Sequence, residues 1–244
     1  MENENTKSDR FWIEKRDVDF PFYNDDNFTR RDLLILTSGV VLFCIWAVIS
    51  SMQIFPSTIN RIMYFLVITV PFLIVAKGKI GLIVKRPRLY DIVLIVLGTF
   101  AMFFISTMMI VLLVKIGVID PNNIKSNPVV SVEHDTLFFI GFFIQLIGEE
   151  MLKIVSFLVV LIAFYKRYGN RKAGIILGMF VSSLLFGLLH YGAYGNLLQV
   201  IFTQGLGAGM IGIYQYVRTK NIMVSYVSHV LLDLIALAAS SLLI

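Results

Sequence analysis

TLFFIGFFIQLIGEEMLKIVSFLVVLIAFY, residues 136–165, decides how this chain is read. It is apolar over about 30 residues, which at 1.5 Å each reach roughly 45 Å, more than a bilayer needs. In its middle stand Glu149, Glu150 and Lys153. A charge at that depth costs at least about 2.5 kcal/mol, so it persists only with a partner or a task. A span this long must tilt, break or project into water. One this charged must face protein rather than lipid.

The flanking sequence repeats the apolar pattern without the charges. Runs at 33–52, 62–76, 90–114, 173–190, 197–217 and 222–244 bring the total to seven spans. The expectation is an all-α polytopic protein of the plasma membrane. With 57% hydrophobic residues and 20 Phe against 16 acidic residues, a soluble domain is excluded. Pro71 predicts a kink in the second span. The stretch KGKIGLIVKRPR, residues 77–88, is too short to span and suits the membrane interface. The chain therefore divides into a polar cytoplasmic tail (1–32), three spans with a basic interfacial segment (33–115), and a C-terminal group of four spans (136–244). The lone Cys44 excludes an internal disulfide and a four-thiolate metal site.

Basic residues orient the spans. The tail and the 2–3, 4–5 and 6–7 loops carry 17 Lys or Arg, whereas the opposite loops carry three. That split places the N-terminus in the cytoplasm and the C-terminus outside. The net charge of +5 thus reports orientation in a bilayer, and no nucleic-acid partner is expected.

The ionisable residues of the C-terminal spans are the inventory of an active site. Glu149 and Glu150 are adjacent and point about 100° apart, so they cannot share one partner. Lys153 lies four residues after Glu149, a spacing that favours an ion pair. Phe186 and His190 are four apart on the next span, and His229 and Asp233 are four apart on the last. A buried carboxylate can take a proton from water, an imidazole can hold that water, and a second donor can stabilise an oxyanion. Gly205 with Gly209, and Ala208 with Gly212, mark the sixth span for close helix packing. Glu133, His134 and Asp135 read as a solvated span boundary. No P-loop, HExxH helix or GxSxG elbow is present.

Read in order, Glu149-Glu150-Met-Leu-Lys153, Phe186-Gly-Leu-Leu-His190 and His229-Val-Leu-Leu-Asp233 resemble the motifs of the CPBP intramembrane proteases. This is the CAAX-protease and bacteriocin-processing group, and the likeness covers residues 136 to 240. It implies a glutamate-dependent endopeptidase acting on a membrane-associated or prenylated peptide substrate. Glu149 and His190 would activate water, His229 and Asp233 would form the oxyanion hole, and Glu150 and Lys153 would brace the site. The family pattern has Arg where this chain has Ile154, and Asn where it has Asp233. The EExxK and HxxxD forms are similar to PrsW-type proteases. Asp233 would donate to the oxyanion if protonated, or orient His229 if ionised. No cofactor is implied, although Glu and His can ligate zinc.

Two other readings stay open. One is a non-catalytic immunity or scaffold protein on the same fold, in which Glu149–Lys153 and His229–Asp233 are structural pairs. The other is an ion-coupled transporter with these groups as a relay, although spans 1 to 3 carry few interior polar residues. The protease reading makes a geometric demand. Counted from the cytoplasmic ends, Glu149 and His190 lie roughly 25 Å deep and His229 about 12 Å. They converge only if the fourth and fifth spans project into the cytoplasm.

Overall fold

The computed structural model describes residues 10–15, 18–127 and 135–241, and every long element among them is a helix. In chain order these are α1 (Arg30–Ser51), α2 (Ser57–Val75), α3 (Leu89–Lys115), α4 (Thr136–Tyr168) and α5 (Arg171–Leu189). The short α6 (Tyr191–Tyr194), then α7 (Leu197–Thr219) and α8 (Ile222–Ser241), complete the set. Six helices are long and apolar enough to cross a membrane, and α4, with its three central charges, is the seventh long helix. The protein is an all-α polytopic membrane protein. Residues such as Leu97, Phe100, Phe104, Met108 and Val111 on α3 are exposed on its surface, as a lipid-facing helix requires.

Helix ends follow local chemistry. Thr29 and Asp32 form a reciprocal capping box that starts α1, and the Asp135 carboxylate accepts from Phe138 N at 2.6 Å to start α4. Asn170 caps α5 immediately after the turn at Gly169. Helix α2 continues through Pro71, which packs against Gly39 of α1. Glu133 and His134 lie outside the described residues.

α4 is the central post of the bundle. Its residues from Glu150 to Leu158 are all buried, packed against α2, α5, α7 and α8. Gly148 lets it lie directly on α2, since a Cβ there would stand 2.8 Å from the Phe65 nitrogen. On the other side, Gly187 of α5 meets α7 backbone to backbone, with a Cβ placed only 2.8 Å from the Gly205 Cα. Over Val200–Gly209, α7 takes π-helical winding, the widened geometry that recurs beside functional sites. The glycines of the sixth span thus make the close contact their spacing predicts. Their winding was not in the pattern.

The N-terminal segment differs from the polar tail expected of its composition. Ile13, Phe20, Tyr23 and Phe28 are buried against the ends of α4, α5 and α7. Glu14 is only 1% exposed and receives both Arg171 (2.5 and 2.7 Å) and Lys220 (2.8 Å). Asp19 accepts a further bond from Arg171 at 2.7 Å, and the Lys220 ammonium lies 3.9 Å over the Phe20 ring. The basic segment after α2 is docked too. Ile83 is buried, and the Asn221 side chain bonds both the nitrogen and the carbonyl of Lys85.

Charge explains why this segment stays down. Burial alone would raise the Glu14 carboxyl, but the bonds and charges of Arg171 and Lys220 outweigh it and hold it at about 2 instead of 4.5. Burial pushes the Lys220 ammonium down to about 8, against the pull of Glu14. A depressed carboxyl contributes stability that is present above 4.5 and is lost as pH falls through about 2. The depressed lysine has a slope of the same sign in a higher window: its cost at neutral pH is relieved as pH rises from about 8 towards 10.5. Hydrogen exchange of residues 18–28 is therefore expected to stay slow from pH 7 down to about 4.5 and to quicken progressively as pH falls from there towards about 2. Glu14→Gln is expected to lose that protection already at pH 7, because the buried Lys220 loses its counter-charge and Arg171 is left with Asp19 alone of its two carboxylates.

Candidate active site

Glu149 and Glu150 leave α4 in different directions, and their environments diverge accordingly. Glu149 opens into a cavity of about 260 Å³. Phe186, His190, His229 and Asp233 line the same cavity, together with Gln145, Tyr64 and Gln204. Three of the long helices thus deliver the predicted residues to one space. The ends of α4 and α5 that meet at the Gly169 turn are wrapped by the N-terminal segment, with Tyr23 against Tyr165 and Lys166 bonded to the Phe28 carbonyl.

Glu149 accepts a hydrogen bond from Gln145 Nε2 at 2.8 Å, which steers its second oxygen, Oε2, to 3.9 Å from His190 Nε2. That gap is too long for a hydrogen bond. It does allow both atoms to touch one small molecule. His190 Nδ1 lies 2.8 Å from the Phe186 carbonyl, which can only accept, so Nδ1 carries the proton and Nε2 faces Glu149. The four-residue spacing of Phe186 and His190 therefore supplies a carbonyl that sets the tautomer. It also stacks the two rings, with centroids 4.5 Å apart.

Glu150 does not line the cavity. It is 1% exposed, with Lys153 Nζ at 2.5 Å and His229 Nδ1 at 2.9 Å, both on Oε1. Two expectations are corrected here. Lys153 pairs with Glu150 rather than Glu149, because its ammonium is buried beneath the Phe186 ring (4.3 Å) and needs a counter-charge on that side. His229 and Asp233 are not directly hydrogen-bonded, since Nε2 and Oδ2 stand 3.8 Å apart. The partner of Asp233 is Asn127, whose Nδ2 donates at 2.8 Å. With Nδ1 committed to Glu150, His229 turns Nε2 towards Asp233 and the cavity.

Several participants were not singled out from the sequence. Gln145 lies one turn before Glu149, and its polarity within an apolar run was the available signal. Asn127 comes from the connection before α4. Arg61 and Tyr64 come from α2, and Phe43 from α1, so the first two helices complete the cavity wall. Among the described residues, no three His, Cys, Asp or Glu side chains form a metal-ligating group.

Residues 135–235 match the family described as Type II CAAX prenyl endopeptidase Rce1-like. That segment is similar to the CAAX-protease family. It begins at the cap of α4 and ends two residues after Asp233, so every motif residue lies within it. The α1–α3 helices and the docked N-terminal segment lie outside it, as do Arg61, Tyr64 and Asn127. No curated protein and no solved structure matches the chain. The family that it matches is one of membrane-embedded peptide hydrolases.

Proposed function

We propose that this protein is a glutamate-dependent intramembrane endopeptidase of the plasma membrane, hydrolysing a peptide bond of a membrane-associated or prenylated substrate. One observation carries the reading: Glu149 Oε2 and His190 Nε2 face each other across 3.9 Å in the cavity that His229 and Asp233 also line. A water held between the first two gives its proton to Glu149 as its oxygen attacks the scissile carbonyl. A C–O bond forms, and the carbonyl oxygen becomes an oxyanion. His229, held at Nδ1 by Glu150, donates to it from Nε2 as the imidazolium. Glu150 and Asp233 then balance Lys153 and His229, leaving this buried set neutral. Collapse of the intermediate breaks the C–N bond, and Glu149 returns its proton to the departing amine. The sequence of steps requires no cofactor.

A water mechanism leaves no covalent acyl-enzyme. Purified protein in detergent is expected to cleave a farnesylated CAAX peptide or another lipid-anchored peptide, with heavy oxygen from labelled water appearing in the new carboxyl group. Hydroxylamine in the reaction is expected to trap no hydroxamate. A trapped hydroxamate, or no cleavage of any such peptide by the wild type, would overturn the reading.

A further inference from the structure

The cavity walls are unevenly distributed along the membrane normal. Arg61 is in the first turns of α2 and Phe138 in the first turn of α4. Asn127 is in the connection before α4, and Ala193 is in the short helix after α5. All four belong to the end of the bundle where α1 joins α2, α3 joins α4 and α5 joins α7. No lining residue comes from the segments joining α2 to α3, α4 to α5 or α7 to α8, or from the described N-terminal residues.

The opposite end is sealed. Beyond Leu152, the last lining residue of α4, Val155, Phe157, Leu158, Leu161 and Ile162 show no exposure. Tyr216 and Val217 of α7 are equally buried. Phe20 of the N-terminal segment packs its ring against that of Phe157, centroids 5.1 Å apart, and the Glu14–Arg171–Lys220 cluster closes the end. A peptide arriving there meets packed side chains and a buried ion-pair network.

Charge says which end is which. Among the described residues the sealed end carries 15 Lys and Arg, the open end three, and Lys153 lies between. Such an asymmetry in short loops puts the basic end in the cytoplasm. We propose that the cavity is entered from the non-cytoplasmic face. Its substrates are then membrane-associated peptides anchored to or emerging at the outer leaflet. The substrate class rests on the hydrolase reading. The sidedness does not.

The test needs no substrate. With Cys44 replaced by Ser, single cysteines are placed in the full chain at Ala193 on the cavity rim, at Asn123 in the α3–α4 connection, and at the exposed Lys172 at the start of α5. Intact cells and inverted vesicles are treated with a membrane-impermeant maleimide. Ala193→Cys and Asn123→Cys are expected to label in intact cells, and Lys172→Cys only in inverted vesicles. Labelling of Ala193→Cys only in inverted vesicles would overturn the proposal, as would labelling only after detergent, which would put the rim within the bilayer. Labelling of Asn123→Cys and Lys172→Cys from one side would overturn it as well. A peptidase reading that fails while this pattern holds leaves the sidedness standing, and the converse result removes the sidedness alone.

Discussion

Glu149→Gln is expected to lower turnover by about 10²- to 10⁴-fold while leaving the protein folded. The substitution keeps the shape and the bond to Gln145, whose side chain can flip to offer its oxygen, but removes the group that takes a proton from water. Little else depends on Glu149. Its side chain is 12% exposed to the cavity, and Gln145 is the residue its carboxylate accepts a bond from. The loss of stability should therefore stay within about 1 kcal/mol, the usual worth of one hydrogen bond. Turnover of a farnesylated peptide in detergent, with thermal unfolding of the same preparation, checks both halves. Substrate binding should be preserved, so the change falls on kcat and not on KM. Turnover within threefold of the wild type would leave the scaffold reading in possession of the site.

How far this outcome was legible in the sequence varies with the range of the interaction. Spans follow runs of apolar residues, so each of the seven runs became a long helix, six of them long and apolar enough to cross a membrane, with ends that moved by a few residues once caps such as Asp135 and Asn170 were seen. Motif residues on a single helix were readable because four-residue spacing places them on one face. That spacing did not choose a partner for Lys153. Residues three and four positions back are both within reach on a helix, and burial beneath Phe186 decided for Glu150. The docked N-terminal segment was hidden by its composition. Four apolar anchors are scattered among charges, and the partner of Glu14 is Arg171, 157 positions away. Asn127 and Arg61 were unreadable for the same reason, since nothing local announces which cavity a lone polar residue reaches.

The pairing of Lys153 with Glu150 leads to the second large effect. Glu150→Ala is expected to destabilise the protein by about 3–5 kcal/mol, because it leaves a buried ammonium without a counter-charge. Lys153 is 2% exposed, and its ammonium would then keep the Phe186 ring but not its carboxylate. His229 also loses the acceptor at Nδ1, so the imidazole is free to turn and its Nε2 no longer points reliably at the oxyanion. Stability and catalysis can be separated. Replacing both members with leucine, Glu150→Leu with Lys153→Leu, removes two buried charges together and is expected to recover most of the stability, since such pairs often do no better than apolar residues of similar volume. Activity should not return, because His229 still lacks its anchor. Glu150→Gln is expected to restore part of the activity through an amide oxygen that accepts from His229 Nδ1, at some cost from the unpaired Lys153. Chemical unfolding in detergent and peptide turnover, measured on all three variants and the wild type, test this scheme. Recovery of full activity in the double leucine variant would show that His229 needs no anchor, and Glu150 would then serve only to neutralise Lys153.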